Sequence, residues 1–419
     1  MNDALGLRTV PLRLGIRENL AQFSLLVGVN GLVGALVGQE RTLVPLLADR
    51  VFGITSATAA LLFIATFGTA KAVSNLVAGA LSDRIGRKRV LVAGWLVGAP
   101  VPLILMVAPT WSWVVAANVL LGINQGLTWS TTVMMKIDLA GPRRRGLAMG
   151  LNESVGYGAV AVSAWATGAL AARFGLTPEP LYLGVAIALL GTAVSVLAVR
   201  ETMPHARAES DGSAAVAFRE VLARTSYRDR ALAAASRTGL VNNANDAFVW
   251  GLLPVLLASR GMDIAAISLI AALYPAVWGL AQVATGPLSD RIGRRLPVSA
   301  GMWIQGGALV VLGTADTHPA AALASVVLGV GTGLAYPALL ATVGDRAPAA
   351  WRAGALGVYR AWRDAGFVVG ALVAGVVTDG FGAGVALVAM GIVTAASGWD
   401  AWRHLPAPDS SSDGLNALG

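Results

Sequence analysis

GALSDRIGRK at residues 79–88 decides the fold of this 419-residue chain, and a second copy, GPLSDRIGRR, follows at 286–295, 207 residues later. Each copy ends one long apolar run with a cluster of charges, and another apolar run begins at once. A charged loop in that setting indicates a short connection between two membrane helices. Its recurrence at a fixed offset indicates an internal duplication.

The composition supports a membrane protein. Hydrophobic residues make up 56% of the chain and charged residues only 13%, with a mean hydropathy of +0.67. Soluble domains carry about 25% charged residues. The net charge of +8 comes from Arg and Lys in short loops, which argues against a nucleic-acid partner. The chain has no Cys, so disulfides, thiolate metal sites and cysteine catalysis are excluded.

The hydropathy pattern predicts an all-α membrane protein with twelve transmembrane helices. The predicted segments run near 20–47, 56–82, 89–108, 112–136, 146–172, 181–200, 231–258, 265–288, 296–315, 319–343, 353–378 and 382–402. With the N-terminus inside, the inner loops and tails hold 22 cations and the outer loops hold 3. Because cations concentrate in cytoplasmic loops, both termini are expected to be cytoplasmic.

The same pattern divides the chain into five parts. A cytoplasmic segment (1–19) is followed by an N-terminal six-helix bundle (20–200) and a cytoplasmic linker (201–230). A second six-helix bundle (231–403) and a disordered tail (404–419) complete the chain. The start of the linker has a flexible composition, and its second part can form a short amphipathic helix on the inner leaflet.

Other positions also repeat between the halves. Asp138 and Asp345 lie 207 residues apart, each at the cytoplasmic end of its segment. Gly122 is matched in the same way by Gly329, and such small residues let helix backbones approach closely. The GxGxG at 329–333 follows no strand, so we interpret it as helix packing and not as a nucleotide loop.

Both loop copies fit the pattern G-x-L-[AS]-D-R-x-G-R-[KR], and the chain resembles transporters of the major facilitator superfamily over essentially its whole length. The resemblance implies two pseudo-symmetric bundles with the substrate site between them. Two departures weaken a resemblance to drug/proton antiporters. Asn118 stands where those proteins often carry Arg in the fourth segment, and GLNESVGYGAV at 150–160 lacks their Pro.

The resemblance implies a cytoplasmic latch. We expect Asp83 to face the N-terminus of the eleventh helix, Arg84 and Arg87 to pair with Asp138, and the second copy to behave likewise. The alternative is that these cations only set the topology. The predicted latch residues are Gly79, Asp83, Arg84, Arg87, Asp138, Gly286, Asp290, Arg291, Arg294 and Asp345.

Ionisable residues inside membrane helices cost roughly 2.5–3.5 kcal/mol each, so each needs a partner or a function. Lys71 is the hardest of them to explain structurally. Asp246 is the first choice for a protonatable site, because burial disfavours the charged form of a carboxyl group. Trp250 and Trp362 could add aromatic walls. The candidate substrate and coupling residues are Glu40, Arg41, Lys71, Trp129, Glu153, Asn242, Asn243, Asp246, Arg360, Arg363 and Asp364.

The spacing suggests pairings within this set, each with an alternative. Arg360 and Asp364 can pair along one helix face. Glu153 lies 207 residues before Arg360, so the two could attract each other across the cavity. Arg363 and Asp364 could instead be a buried pair that never meets substrate. Glu40 and Arg41 fit an extracellular gate as well as a binding role.

We therefore expect a multi-pass bacterial inner-membrane protein that transports a small polar or ionic solute by secondary active transport with rocker-switch alternating access. The cations favour an organic or inorganic anion. Proton coupling through Asp246 or Glu153 and facilitated diffusion both stay open. The alternatives are a multidrug or metabolite efflux proton antiporter and a transporter-like receptor without flux. No enzyme activity, cofactor, metal or nucleic acid is expected, and the protein should be a monomer in the lipid bilayer.

Overall fold

The computed structural model describes residues 14–140, 145–209, 217–348 and 351–407. All regular structure in these ranges is helical. The helices are α1 (Leu20–Gly38), α2 (Glu40–Arg50), α3 (Ala57–Ala60), α4 (Leu62–Ile85), α5 (Arg87–Gly98), α6 (Val101–Val107), α7 (Trp111–Ala140), α8 (Arg145–Phe174), α9 (Tyr182–Leu197), α10 (Met203–Glu209), α11 (Phe218–Ala223), α12 (Arg230–Ser259), α13 (Ile264–Ile292), α14 (Arg295–Thr314), α15 (His318–Arg346), α16 (Arg352–Phe381) and α17 (Ala383–His404).

Ten helical segments of the described chain are long and apolar enough to cross a membrane. Two further helices, α7 and α12, contain 30 residues each but carry many buried polar side chains. The ends of all these helices lie within four residues of the predicted segments. The apolar runs and the Gly and Pro residues between them therefore predicted the helix positions well.

The helices form two bundles with matching internal contacts. The first contains α1–α9 and the second α12–α17. In the first, α4 packs on α7 so closely that a Cβ on Gly122 would lie 2.4 Å from the Phe67 carbonyl oxygen. In the second, α13 packs on α15, and a Cβ on Gly329 would lie 2.7 Å from the Tyr274 carbonyl oxygen. Both residues of this contact repeat at the 207-residue offset, so the duplication extends to the packing.

The bundles meet along two pairs of long helices, α4 with α16 and α8 with α13. We call the end of the molecule that carries the loops 83–88 and 290–295 the motif face, and the other end the opposite face. Gly86 and Gly293 end α4 and α13 with φ of 102° and 81°. That left-handed conformation favours glycine and turns the chain sharply into the next helix.

The linker is more ordered than its composition suggested. Its first part forms α10, and α11 continues into a π-helical turn at Arg224–Arg228. Val221 is buried in the core, whereas Phe218 and Leu222 are exposed, so an interfacial role for this helix stays a prediction. A hydrogen bond from Arg224 lowers the pKa of the Glu220 carboxyl. Most of segment 1–19, linker residues 210–216 and most of the tail lie outside the described residues.

Candidate functional site

The charged residues predicted inside the membrane meet where the two bundles face each other. Arg41 of α2 and Asp246 of α12 form a bidentate ion pair, with 2.9 Å between Nη2 and Oδ2. Both side chains are buried, and the Arg41 guanidinium lies 4.6 Å from the ring centre of Trp250. The Trp250 indole N–H donates to the Glu40 backbone carbonyl at 3.3 Å. Each charge therefore has a partner on the other bundle.

A second cross-bundle pair joins α4 to α16. The Lys71 ammonium lies 3.4 Å from the Asp364 carboxylate. Asn75, one turn further along α4, also donates to Asp364. Ser130 of α7 donates in turn to the Asn75 side-chain oxygen at 2.6 Å. Asp364 thus contacts two residues of the first bundle. The predicted pair between Arg360 and Asp364 along α16 is not formed in the part of the chain that the structure describes.

Arg363 lies in an aromatic box with little negative charge. Its Nη2 donates to the Tyr157 hydroxyl at 2.9 Å, and its guanidinium lies 4.4 Å from the Tyr336 ring centre and 5.8 Å from that of Trp278. The Tyr157 and Trp278 rings stack with centres 3.5 Å apart. Asp364 is 4.0 Å from Nη1 and is already paired with Lys71. The buried Nε has no hydrogen-bond partner, so this guanidinium keeps unused donors.

Glu153 is held by neutral donors. Its Oε1 accepts from the Trp129 indole and the Asn152 amide, both at 3.0 Å. Its Oε2 accepts from the Tyr336 hydroxyl of the second bundle at 3.2 Å. The ion pairs of the described chain do not include one between Glu153 and Arg360. The predicted ion pair between these two repeat-related residues is therefore not formed in this conformation.

Two further buried charges lie near α1 and α2. Glu40 is fully buried, and neither carboxylate oxygen has a hydrogen-bond partner of normal geometry. The Asn118 side chain of α7 is the polar group that interacts with it. Lys136 of α7 is also fully buried, and its ammonium donates to the Leu26 carbonyl at 3.3 Å. Lys136 was not among the predicted site residues, because MMKID at 134–138 resembles the polar end of a segment.

Three other predicted residues have different surroundings. Asn242 and Asn243 are buried in α12, and the side-chain oxygen of each lacks a hydrogen-bond partner. The Trp362 indole donates to Ser226 of the linker at 2.9 Å, so this ring does not form a wall of the central site. The described residues contain no group of His, Asp or Glu side chains that could hold a metal.

At the motif face, the Arg87 end of the first loop is buried and is braced by the linker. Arg87 pairs with Asp83 at 2.6 Å and with Asp138 of α7 at 3.3 Å. Thr202 of the linker donates to Asp138 at 2.8 Å. The Glu201 carboxylate accepts the backbone N–H groups of residues 87, 88, 202 and 203, at 2.9–3.1 Å. The first linker residues thus fasten this loop to α7.

The second loop has the corresponding ion pairs but less cover. Arg294 pairs with Asp290 at 2.6 Å and with Asp345 at 2.9 Å. The Asp345 side chain is 62% exposed, compared with 9% for Asp138. The two loops therefore form the same contacts in different environments.

The predicted latch is present only in part. Asp83 is 68% exposed and pairs within its own helix, so it does not face α16 in this conformation. Arg84 and Arg291 form no ion pair within the described chain. A Cβ on Gly79 or Gly286 would meet no atom within 4 Å. Each latch pair that is formed lies within one bundle.

The bundles are joined instead at the opposite face. Asp379 near the end of α16 accepts hydrogen bonds from the backbone N–H groups of Ala57 and Thr58 at 2.6 and 3.1 Å. It also accepts from the Ser56 hydroxyl at 3.0 Å. A Cβ on Gly375 would lie 2.5 Å from the Thr58 Cα. These contacts close the interface at the opposite face.

Two repeated helical bundles around a buried, mixed-charge interface define a membrane carrier. The Major Facilitator Superfamily model matches residues 19–239 and 235–417. The chain belongs to this family and is a multi-pass protein of the bacterial inner membrane.

Two bacterial relatives are similar in sequence. An uncharacterised MFS-type transporter of Salmonella typhimurium is 26% identical over 365 residues, covering 80% of this chain and 82% of the relative. A Cupriavidus pinatubonensis protein named "Probable 4-methylmuconolactone transporter" is 27% identical over 233 residues, which cover 54% of this chain and 52% of that protein.

Solved structures share the fold. A bacterial homologue of the human lysosomal transporter Spinster, in an inward-facing and unoccupied conformation, has a TM-score of 0.73 and 15% identity. The alignment covers 92% of this chain and 98% of that one. The nucleoside transporter NupG has a TM-score of 0.72 and 14% identity, with 91% of this chain and 98% of that chain covered.

Proposed function

We propose that the protein is a secondary transporter for a small organic anion with a planar body, working by alternating access. In this proposal α7 and α12 also span the membrane, which gives twelve spans with both termini in the cytoplasm. The cation distribution along the sequence supports that orientation. The contacts at the opposite face then correspond to a state closed toward the outside.

The observation that carries the proposal is Arg363. A guanidinium has five donors in a planar fork that matches a carboxylate, and only one donates to Tyr157 here. Because the Tyr157 hydroxyl accepts from Arg363, its own hydrogen is available for a second anion oxygen. The adjacent rings of Trp278 and Tyr336 offer flat surfaces for an unsaturated or aromatic body. The relative named for a muconolactone, a lactone that bears a carboxylate, supports the same substrate class.

Counterflow in proteoliposomes tests this assignment. Benzoate, muconolactone and uridine serve as labelled probes, uridine representing the nucleosides named for one structural neighbour. We expect counterflow of at least one carboxylate and none of uridine. Arg363→Lys should reduce it at least tenfold, since losing bidentate hydrogen bonds to a carboxylate costs about 1.5–3 kcal/mol.

Arg360→Lys is the matched control, because Arg360 lies one turn away on α16, is half-buried and forms no ion pair in the described chain. It should keep most of the activity. Uridine flux without carboxylate flux, or equal activity of both variants, would contradict the proposal. Carboxylate binding without counterflow would instead identify a receptor.

If transport is driven by protons, Glu40 is a better coupling candidate than Asp246. Asp246 is neutralised by Arg41, whereas the buried Glu40 carboxylate has no cationic partner, and isolated buried charge is costly. Glu40→Gln should abolish accumulation driven by a pH gradient and leave counterflow intact. Unchanged pH-driven accumulation in this variant would exclude Glu40. Export driven by the same gradient would favour the efflux alternative.

A further inference from the structure

A groove at the motif face lies outside the central site. It has a volume of about 810 Å³ and lies between the start of α5, the end of α9 and the linker. Three cations line its end next to the start of α5, which we call the mouth: Arg84, Lys88 and Arg89. Its wall is apolar and is formed mainly by Val92, Leu96 and Val196.

The wall faces away from the protein core. Leu96 is 60% exposed and Val196 43% exposed, although α5 and α9 both belong to candidate membrane spans. Apolar side chains exposed on a spanning helix lie against lipid. Arg84 at the end of α4, and Lys88 and Arg89 at the start of α5, then lie at the level of the lipid headgroups.

The positive charge of the mouth is only partly compensated by the protein. Arg84 and Arg89 have no carboxylate partner among the described residues, and Lys88 donates to the Val196 carbonyl at 2.8 Å. Glu201 is the anion that lines the groove. Its carboxylate already accepts four backbone N–H groups. A ligand that fits must supply an anionic group at the mouth.

The equivalent place in the second half is filled by protein. Lys88 corresponds to Arg295, whose guanidinium lies 4.0 Å from the ring centre of Trp402. Leu96 corresponds to Trp303, whose ring contacts Trp399 and Trp402 at 5.1 and 5.9 Å. The cationic groove is therefore a property of the first half and not of the repeat.

We propose that this groove binds one anionic phospholipid of the inner leaflet. The headgroup phosphate contacts Arg84, Lys88 and Arg89, and an acyl chain lies along Val92, Leu96 and Val196. A basic mouth that continues into an exposed apolar wall suits an amphiphile better than a free phosphate. The proposal rests on the cytoplasmic orientation of the motif face and not on the identity of the substrate.

Native mass spectrometry of the purified full chain with phosphatidylglycerol tests the site. We expect one phosphatidylglycerol retained more tightly than phosphatidylcholine. Arg84→Gln with Arg89→Gln should weaken phosphatidylglycerol binding about thirtyfold, because each cation near a membrane surface contributes roughly fivefold. The matched control is Arg291→Gln with Arg295→Gln in the second loop, which should leave binding unchanged.

A second variant distinguishes a lipid bound in the groove from a lipid held only by the positive charge of the protein surface. Leu96→Trp fills the wall as Trp303 does in the second half and changes no charge. It should also displace the bound phosphatidylglycerol. Weakening by the arginine variants but not by Leu96→Trp, equal loss in the control pair, or equally tight binding of glycerol phosphate would each overturn the proposal. Elution of each variant as a folded monodisperse peak confirms that the comparison is valid.

Discussion

The loops at 79–88 and 286–295 share eight of ten residues, yet the structure gives them different surroundings. In the first, Arg87 and Asp138 are each only 9% exposed, and Glu201 and Thr202 cover them from the linker. In the second, Arg294 is 18% exposed and Asp345 62% exposed. The comparison teaches that identical motif residues can have a structural role in one half and stay free to change partners in the other. Three predictions test it.

Removing the carboxylate that each arginine faces should have unequal effects. Asp138→Asn leaves the buried Arg87 with one exposed partner and should lower the free energy of unfolding by about 3 kcal/mol. Asp345→Asn should lower it by about 0.5 kcal/mol, because surface ion pairs contribute little. Thermal unfolding of both variants in the same detergent measures the difference. Equal shifts would show that the burial of the first loop has no energetic consequence.

Removing the linker carboxylate should destabilise the first loop specifically. Glu201→Ala leaves four backbone N–H groups without their acceptor and should cost about 1–2 kcal/mol. Glu220→Ala in the same linker is the control, because Glu220 holds only the exposed Arg224 and Arg228 and should change stability by less than about 0.5 kcal/mol. Proteolysis within 83–88 should accelerate in the first variant alone. Protection equal to that of the wild type would mean that Glu201 does not fasten the loop.

The exposed aspartates should affect transport with little effect on stability. Asp83 and Asp290 are 68% and 66% exposed here, so their Asn variants should unfold within about 0.5 kcal/mol of the wild type. If the latch forms in the other state, Asp83→Asn should slow counterflow roughly fivefold, at the low end of conformational coupling energies. If Asp83→Asn inserts normally and its counterflow is unchanged, the motif charges only set the topology.

The helices were predictable from the sequence because each is an apolar run that begins and ends at Gly, Pro or charge. The ion pairs at Arg87–Asp138 and Arg294–Asp345 also followed, since the repeat placed each pair at one end of its bundle. The pairing of charged residues across the interface could not be predicted from the sequence. Lys71, Asp246 and Asp364 were identified singly, but their pairing depends on helix rotation, which hydropathy does not determine. Tyr157 and Trp278 went unnoticed because aromatic side chains in an apolar run look like lipid-facing packing.

The two cross-bundle ion pairs are oriented in the same direction. In both cross-bundle pairs the cation, Arg41 or Lys71, belongs to the first bundle and the anion, Asp246 or Asp364, to the second. The first bundle thus carries fixed cations whose counter-ions are side chains of the other bundle. Separating the two bundles along this interface would part both cations from both anions at once. Each pair that opens leaves a cation on the first bundle and an anion on the second, so separation of α4 from α16 is costly until water or an ionic substrate reaches both charges.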